Sequence, residues 1–372
     1  MLDVSASGHA TPVPGAPVQR RPRRQRGRVV LDMRQSLPRW KQALFLAASL
    51  VIGLAISVTV LAVAGISPLQ LAGELAGVFN ADSLRAVLVQ AAPLVLVGLA
   101  ASLSFRIGFW NLGLEGQMIF GGIFAAAVSI YEIGPPQTRL ILMGLAAAAG
   151  GALWCLLAGF LKLRFKVNEI IATLLLNYVA MYFLFHLLYG AWQDAKTAFP
   201  QSTPLRPFER LGELGYGVNS GLIVAIGAVL VVGWFVHFSR GGFYMRVISA
   251  NRGMAKVVGV PIRAVTLWIV AISGACAGIA GFVNVASQEG RLTQSYASGY
   301  VFSGVLIAFL SRNDPIVVAI VGFLIAVLFI TGQTLQVFYQ IPFTMVQMIE
   351  AIIVMAVASS EFFIRHRIRW IR

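Results

Sequence analysis

Ten apolar runs, most of them about 20 residues long, follow one another between residues 42 and 362 with little more than turns between them. A helix crosses the roughly 30 Å hydrocarbon core of a bilayer in about 20 residues, so most of these runs are long enough to span. In lipid every backbone N–H and C=O must be paired within the protein, so serial spans of this kind fold as helices. The 372 residues are 58% hydrophobic and 12% charged, with a mean hydropathy of +0.81. A soluble globular chain, at about 25% charged, does not fit that composition. The expected fold class is all-α: a polytopic membrane protein with about ten transmembrane helices and both termini cytoplasmic.

The spans are expected at about 42–64, 84–105, 117–132, 140–161, 168–188, 220–238, 264–285, 296–310, 315–335 and 343–362. The eighth, short and interrupted by Gly299 and Gly304, also reads as a re-entrant half-helix. An external amphipathic stretch covers 67–83, and the longest external loop is 189–219, with Pro200, Pro204 and Pro207. The positive-inside rule tests the count. On this topology all but six of the 29 Lys and Arg residues are cytoplasmic, the exceptions being Arg85, Arg139, Lys196, Arg206, Arg210 and Arg291. Residues 1–41, with Pro12, Pro14, Pro17 and Pro22 and an arginine cluster at 20–28, are expected to be a disordered basic cytoplasmic tail. The apolar run after it is longer than a signal-peptide core, so it is read as an uncleaved first span. Residues 42–364 form the membrane domain and 365–372 a second basic cytoplasmic tail.

The net charge of +15 does not indicate a nucleic-acid partner, because the basic residues sit at span ends and not on a soluble face. Cys155 and Cys276 both lie in apolar runs, and the four histidines are far apart, so neither a disulfide framework nor a metal site is expected. No Gly-Lys dipeptide occurs, which excludes a phosphate-binding loop of the Walker type in this chain. No Ser-His-Asp, Cys-His or paired-carboxylate arrangement has catalytic logic, so the chain is not expected to be an enzyme.

Residues 239–263, SRGGFYMRVISANRGMAKVVGVPIR, are the long basic segment between two spans on the cytoplasmic side. Apolar residues mixed with basic ones over Phe243–Ile248, followed by the capping residues Ser249 and Asn251 and by Pro261, indicate a short amphipathic helix. Such an element can receive force from a soluble partner; its alternative is a loop that only fixes topology. At membrane depth polar residues are costly and are functional candidates by default. The densest group, Ser104–Gln117, contains three glycines with Asn111, Glu115 and Gln117, and reads as irregular backbone lining an enclosed cavity. The alternative is a turn whose glycines serve close packing and whose Arg106 and Glu115 pair. In the fifth span Asn168 suits a helix cap, Glu169 the helix N-terminal end, and Asn177 either interhelical bonding or cargo contact. Gln347 and Glu350, three residues apart, share one interior face of the tenth span. The small residues of the seventh span, Ser273 to Gly281, read as a packing face.

Three ordered stretches carry a family resemblance over roughly residues 85–335. Phe109-Trp110-Asn111-Leu112-Gly113-Leu114-Glu115-Gly116-Gln117 resembles the F-N-I-G-x-E-G-Q signature of permease subunits in ABC importers of the branched-chain amino acid, simple sugar and nucleoside superfamily. Asn168–Tyr178 is similar to the N-E-x-I-x-T-L-M-L-N-Y stretch of its nucleoside branch, and Ala250-Asn251, Ala255 and Gly259-Val260-Pro261 resemble the cytoplasmic segment that docks on the ATPase. Trp110 is an extra aromatic where many relatives pass from Phe to Asn, and the arginine-rich tail is not a family feature. The resemblance implies the membrane-spanning subunit of an ATP-driven importer, for nucleosides, in the cytoplasmic membrane of a bacterium. It also implies partners: a separate ATPase that uses ATP and Mg, so that this chain binds no cofactor itself; a second, related permease chain; and an extracytoplasmic binding protein. Asn111, Glu115, Gln117, Asn177, Gln347 and Glu350 are the expected path or gate residues. Phe243, Arg246, Ala250, Asn251, Ala255 and Gly259 are the expected ATPase-coupling residues. A simple sugar such as ribose is the alternative cargo, and an ion-coupled secondary transporter is the alternative class.

Overall fold

The computed structural model describes residues 28–33, 38–63, 65–77, 80–197, 199–215, 217–340 and 342–371 of the chain. Thirteen helices follow in order: α1 (Arg39–Val63), α2 (Pro68–Gly77), α3 (Ala81–Arg106), α4 (Leu114–Ile130), α5 (Pro136–Phe165), α6 (Glu169–Leu188) and α7 (Gly221–Phe238). They continue with α8 (Arg240–Ala250), α9 (Arg252–Val257), α10 (Ile262–Asn284), α11 (Tyr300–Leu310), α12 (Pro315–Tyr339) and α13 (Phe343–Arg365). Among the described residues eight helices are long and apolar enough to cross a membrane, and α4 and α11 are shorter apolar helices. Together they account for the ten spans expected. At 1.5 Å per residue α11 is only about 16 Å long and cannot cross a bilayer. It is a half-helix, the second of the two forms its sequence allowed.

Helices α3 and α10 are the inner pair, with α4, α5, α11 and α12 packed around them. The small residues of α10 set how closely that pair is approached. A Cβ on Gly121 of α4 would stand 2.3 Å from the Gly278 carbonyl oxygen, and one on Gly151 of α5 2.3 Å from that of Gly274. Backbones this close exclude any larger residue, which is the packing role the sequence indicated for this face. Outward faces of α5, α6 and α7 expose Ile141, Leu175, Tyr182 and Leu230, as lipid-facing helices do.

Local signals explain the helix ends. Asn168 accepts a hydrogen bond from the Ile170 N–H at 2.9 Å and so caps α6, and Asp314 caps α12 through the N–H groups of Ile316 and Val317 with Pro315 at the first position. The cytoplasmic segment differs from the single helix expected. It is two helices, α8 and α9, hinged at Asn251 in extended backbone, with Ser239 and Asn251 as their N-caps in place of Ser249.

The tails also differ from expectation. Arg28–Met33 (β1) pairs antiparallel with His366–Ile371 (β2), Arg28 opposite Ile371 and Met33 opposite His366, so part of each tail is a two-stranded ribbon. That pairing brings residues 28–33 and 366–371 together. The remaining tail residues, 1–27, 34–37 and 372, lie outside the described residues.

Candidate functional site

The helix α10 does not end cleanly. Its last turn widens into a π-helical turn, Val285–Glu289, closed by the Gly290 N–H to the Val285 carbonyl at 2.8 Å. Gly290 is left-handed at φ +66, an irregular stretch follows, and Gly299 at φ +90 starts the half-helix α11. Wide turns of this kind inside transmembrane helices recur at functional sites. Exposed polar backbone at such a break must find partners, and the long loop 189–219 supplies them. Ser202 N–H donates to the Leu292 carbonyl at 3.0 Å, Leu205 N–H to Gly290 at 2.8 Å and Leu211 N–H to Ala286 at 3.0 Å, while Ser202 Oγ accepts from the Leu292 N–H at 2.9 Å.

The loop is itself pinned by a buried ion pair. Arg139 Nη1 donates to Glu209 Oε1 at 3.0 Å, with both side chains almost wholly buried. Ser129 Oγ and the Arg206 N–H donate to Glu209 Oε2 at 2.6 and 3.0 Å. Burial alone would raise the Glu209 carboxyl, but the bonds from Ser129, the Arg206 backbone and Arg139 outweigh it and hold the group below the usual carboxylate range.

The break opens on a cavity of about 570 Å³, within the range of small-molecule sites. Five amides line it: Gln90 on α3, Asn284 and Gln288 at the break, and Gln333 and Gln336 on α12. Tyr296, Tyr300 and Phe329 give it aromatic walls, with the Tyr300 and Phe329 ring centroids 5.9 Å apart. Gln90 Nε2 donates to the Tyr300 hydroxyl at 3.0 Å, and Asn284 Nδ2 to the Tyr296 carbonyl at 2.5 Å. Pro93 interrupts α3 and, lacking an N–H, frees the Val89 carbonyl four residues earlier; the Gln288 amide lies 3.5 Å from it. Gln333 and Gln336 are exposed and make no hydrogen bond among the described residues. The lining holds one carboxylate, Glu289, and no basic residue. A neutral, polar cargo with an apolar face suits such walls. A phosphorylated one, or the carboxylate of an amino acid, finds no cation there.

A second cavity of about 550 Å³ lies at the other end of α11, between Phe105 and Trp110 near the α3–α4 turn, the Arg312–Asn313 turn, and Ala358 and Phe362 on α13. Between the two cavities α11 is packed shut on α3: a Cβ on Gly98 would meet Ile307 Cγ2 at 2.4 Å, and one on Gly304 would meet Val97 Cγ1 at 2.5 Å.

The residues that the motif suggested for the path wall lie elsewhere. Asn111 and Gln117 are buried and exchange two amide hydrogen bonds, Asn111 Nδ2 to Gln117 Oε1 at 3.0 Å and Gln117 Nε2 to Asn111 Oδ1 at 2.8 Å. Asn111 also reaches Ser273 Oγ at 3.3 Å, whose hydroxyl donates to the Ala100 carbonyl at 2.6 Å. These bonds tie the α3–α4 turn to α10 and leave no amide facing open space. Asn177 staples the same turn to α6, accepting from the Gly116 N–H and donating to the Leu112 carbonyl, both at 2.8 Å, while Thr173 Oγ1 accepts from the Leu112 N–H at 3.2 Å. The glycines of the motif are where these residues come closest, since a Cβ on Gly113 would meet Thr173 at 3.0 Å and one on Gly116 would meet Asn177 Oδ1 at 3.0 Å. Asn177 therefore makes the interhelical bonds that are one of its two expected uses.

Glu115 is half-buried in the first turn of α4, and no ion pair joins it to Arg106 among the described residues. Gln347 is half-buried on α13 and lines neither cavity, and the side chain of Glu350 lies outside the described residues. Of the expected coupling residues, Phe243, Arg246, Ala250, Asn251 and Gly259 are exposed and Ala255 is fully buried. Arg246 donates to the Val236 carbonyl at 3.0 Å and so fastens α8 to the end of α7. The next residue along α7 is His237, whose Nε2 lies 3.7 Å from Asp314 Oδ2, next to the Arg312–Asn313 turn of the second cavity.

Sequence reasoning missed the amides of the first cavity. Gln333 and Gln336 carry the one available signal, polar residues three apart on an apolar helix, the same spacing that drew attention to Gln347 and Glu350.

Comparison with known proteins agrees with the architecture. Residues 83–358 match the family model described as branched-chain amino acid transport system / permease component. The chain is 32% identical over 352 residues to the glucose ABC transporter permease protein TsgB13 of Haloferax volcanii, covering 91% of this chain and 93% of the relative. It is 32% identical to the guanosine ABC transporter permease protein NupP of Bacillus subtilis, covering 73% and 79%, and 30% identical to that organism's NupQ, covering 69% and 84%. An inner helix pair, a broken helix at a polar cavity and a match over most of the chain lead to one conclusion: this protein belongs to the branched-chain amino acid transport system permease family and is an ABC permease subunit of its simple sugar and nucleoside group.

Proposed function

We propose that the chain is the permease of an importer that takes nucleosides across the cytoplasmic membrane by alternating access. The observation that carries the cargo is the 570 Å³ cavity, whose five amides and aromatic walls suit a neutral, polar, partly planar molecule. The relatives named for guanosine support that cargo, and the relative named for glucose keeps a simple sugar as the second reading.

Family membership sets aside the ion-coupled alternative. ATP and Mg would be used by a separate ATPase beneath the chain and not bound by it. An extracytoplasmic binding protein would deliver cargo at the 189–219 loop. A second, related permease would complete the complex; two guanosine permease proteins in Bacillus subtilis support such pairing. The ATPase would dock on α8 and α9, where Phe243, Met254 and Val257 expose apolar surface, Val257 at 89%. Its movement would reach the inner cavity through Arg246, the end of α7 and Asp314. Asn111, Gln117 and Asn177 would hold the frame against which α11 moves.

Uptake of labelled guanosine by cells with and without the gene tests this, with competition by unlabelled nucleosides, ribose and glucose and with ATP depleted in one arm. ATP-dependent, gene-dependent uptake blocked by nucleosides alone is expected. Blocking by ribose or glucose alone would replace the cargo with a sugar.

A further inference from the structure

We infer that the inner cavity, at the C-terminal end of α11, is a stacking site for the base of the cargo on its way to the cytoplasm. This rests on the nucleoside reading and adds a second site to it, distinct from the amide cavity at the other end of the half-helix. Phe105, Trp110 and Phe309 form a closed triangle of rings, with centroids 5.1 Å apart for Phe105 and Trp110 and 5.8 Å for each of the other two pairs. The triangle fixes the indole, and the Trp110 side of it stays open, with the residue 42% exposed and lining the cavity. Trp110 is the aromatic that the family signature does not demand, and among the described residues its ring packs only on Phe105 and Phe309.

The same cavity is lined by a residue with a polar atom in need of a partner. Asn313 Oδ1 is buried in the cavity wall and accepts no hydrogen bond. A buried acceptor is costly to leave unpaired, so a ligand N–H or O–H would gain there. The turn that presents it is held in an unusual conformation, with Arg312 at φ +53 and Asn313 at φ +61, both left-handed and neither glycine. Glycine would relieve that turn, so the side chains themselves are what the position retains. The turn is fastened by the Arg312 N–H to Phe309 and the Asn313 N–H to Ala308, and Arg312 Nη2, also in the cavity lining, donates to Gln42 Oε1.

A flat aromatic surface that shares a cavity with an unpaired acceptor is complementary to a planar heterocycle that carries N–H donors at its edge. A nucleobase has both features and a monosaccharide lacks the plane. Stacking on an aromatic side chain is sequence-tolerant, which suits a site that must pass any base and release it.

The test uses the assembled importer in proteoliposomes, with labelled guanosine as probe and initial rates measured against concentration. Trp110→Ala should lower the maximal guanosine rate about tenfold, in line with the loss of one base-aromatic stack. The concentration at half-maximal rate, set by outer binding, should stay unchanged, and Trp110→Phe should restore most of the rate. Asn313→Ala should lower the rate by a smaller factor. Photolabelling with 8-azidoguanosine in the inward-open complex should mark peptides containing residues 105–110 or 308–313. An unchanged maximal rate in Trp110→Ala and Asn313→Ala, or labelling confined to residues 288–300, would overturn the inner site while guanosine uptake by the parent protein still upheld the cargo. Parent protein that carries glucose but not guanosine would overturn both.

Discussion

Around Asn111 the membrane-embedded amides are consumed by one another, whereas around Gln333 they face open space. Asn111 and Gln117 bond each other between the α3–α4 turn and the start of α4, and Asn177 bonds the backbone of that turn from α6, all at 2.8 to 3.0 Å. Gln333 and Gln336, on a helix with no recognisable motif, make no hydrogen bond among the described residues. A buried amide that is fully paired rigidifies the fold, and one left without partners in a cavity is available to a ligand. The contrast separates the parts of a transporter that must not change between states from those that must exchange cargo. Asn111, Gln117 and Asn177, from the two signature stretches, are the paired ones.

That contrast is most exposed to failure at the loop anchor, which the break beside the open amides depends on. Glu209→Ala should destabilise the protein by about 3–5 kcal/mol, because it strands a buried arginine, and the drop should appear as a lowered Tm of the detergent-solubilised complex. Asn111→Ala should cost about 1–3 kcal/mol by leaving the Gln117 amide unpaired, again as a lowered Tm. In the surviving protein the guanosine concentration at half-maximal uptake should not move; a shift there would place Asn111 on the path after all.

Gln333→Ala and Gln336→Ala should do the reverse. Each should leave stability within about 0.5 kcal/mol, as surface changes do. Each should also raise the half-saturating concentration by about two- to tenfold, the worth of a single hydrogen bond. The smallest effect expected is one of pH. The Glu209 carboxyl is held low when folded, so its contribution is complete above the usual carboxylate value of about 4.3 and is lost as pH falls through the lower, folded value. Amide exchange of residues 202–211 should therefore stay slow down to the ordinary carboxylate range and quicken only below it, and Glu209→Gln should remove that dependence.

Much of the fold is legible in the chain, since span length, the Asn168 cap and the small residues of α10 each have one physical use. The two motif stretches also find each other in space, Thr173 and Asn177 against Gly113 and Gly116. The cavities are not legible, because each is assembled from residues distant in sequence. Gln90, Gln288 and Gln336 read singly as isolated polar side chains, and the freed Val89 carbonyl becomes meaningful only when Gln288 is seen beside it. The ribbon of β1 and β2 is likewise a pairing between the two ends of the chain, which no local pattern announces.

Thiol accessibility tests the central claim most directly. Cys155 and Cys276 are both buried, so the parent protein, carried through as a control, should be inert to a membrane-impermeant thiol reagent added from outside. Gln333→Cys and Asn111→Cys would be compared in the assembled importer, with and without guanosine. The account predicts that Gln333→Cys is modified, that modification blocks uptake and that guanosine slows it, while Asn111→Cys is inert. Modification of Asn111→Cys that guanosine protects against, with Gln333→Cys indifferent to cargo, would contradict it.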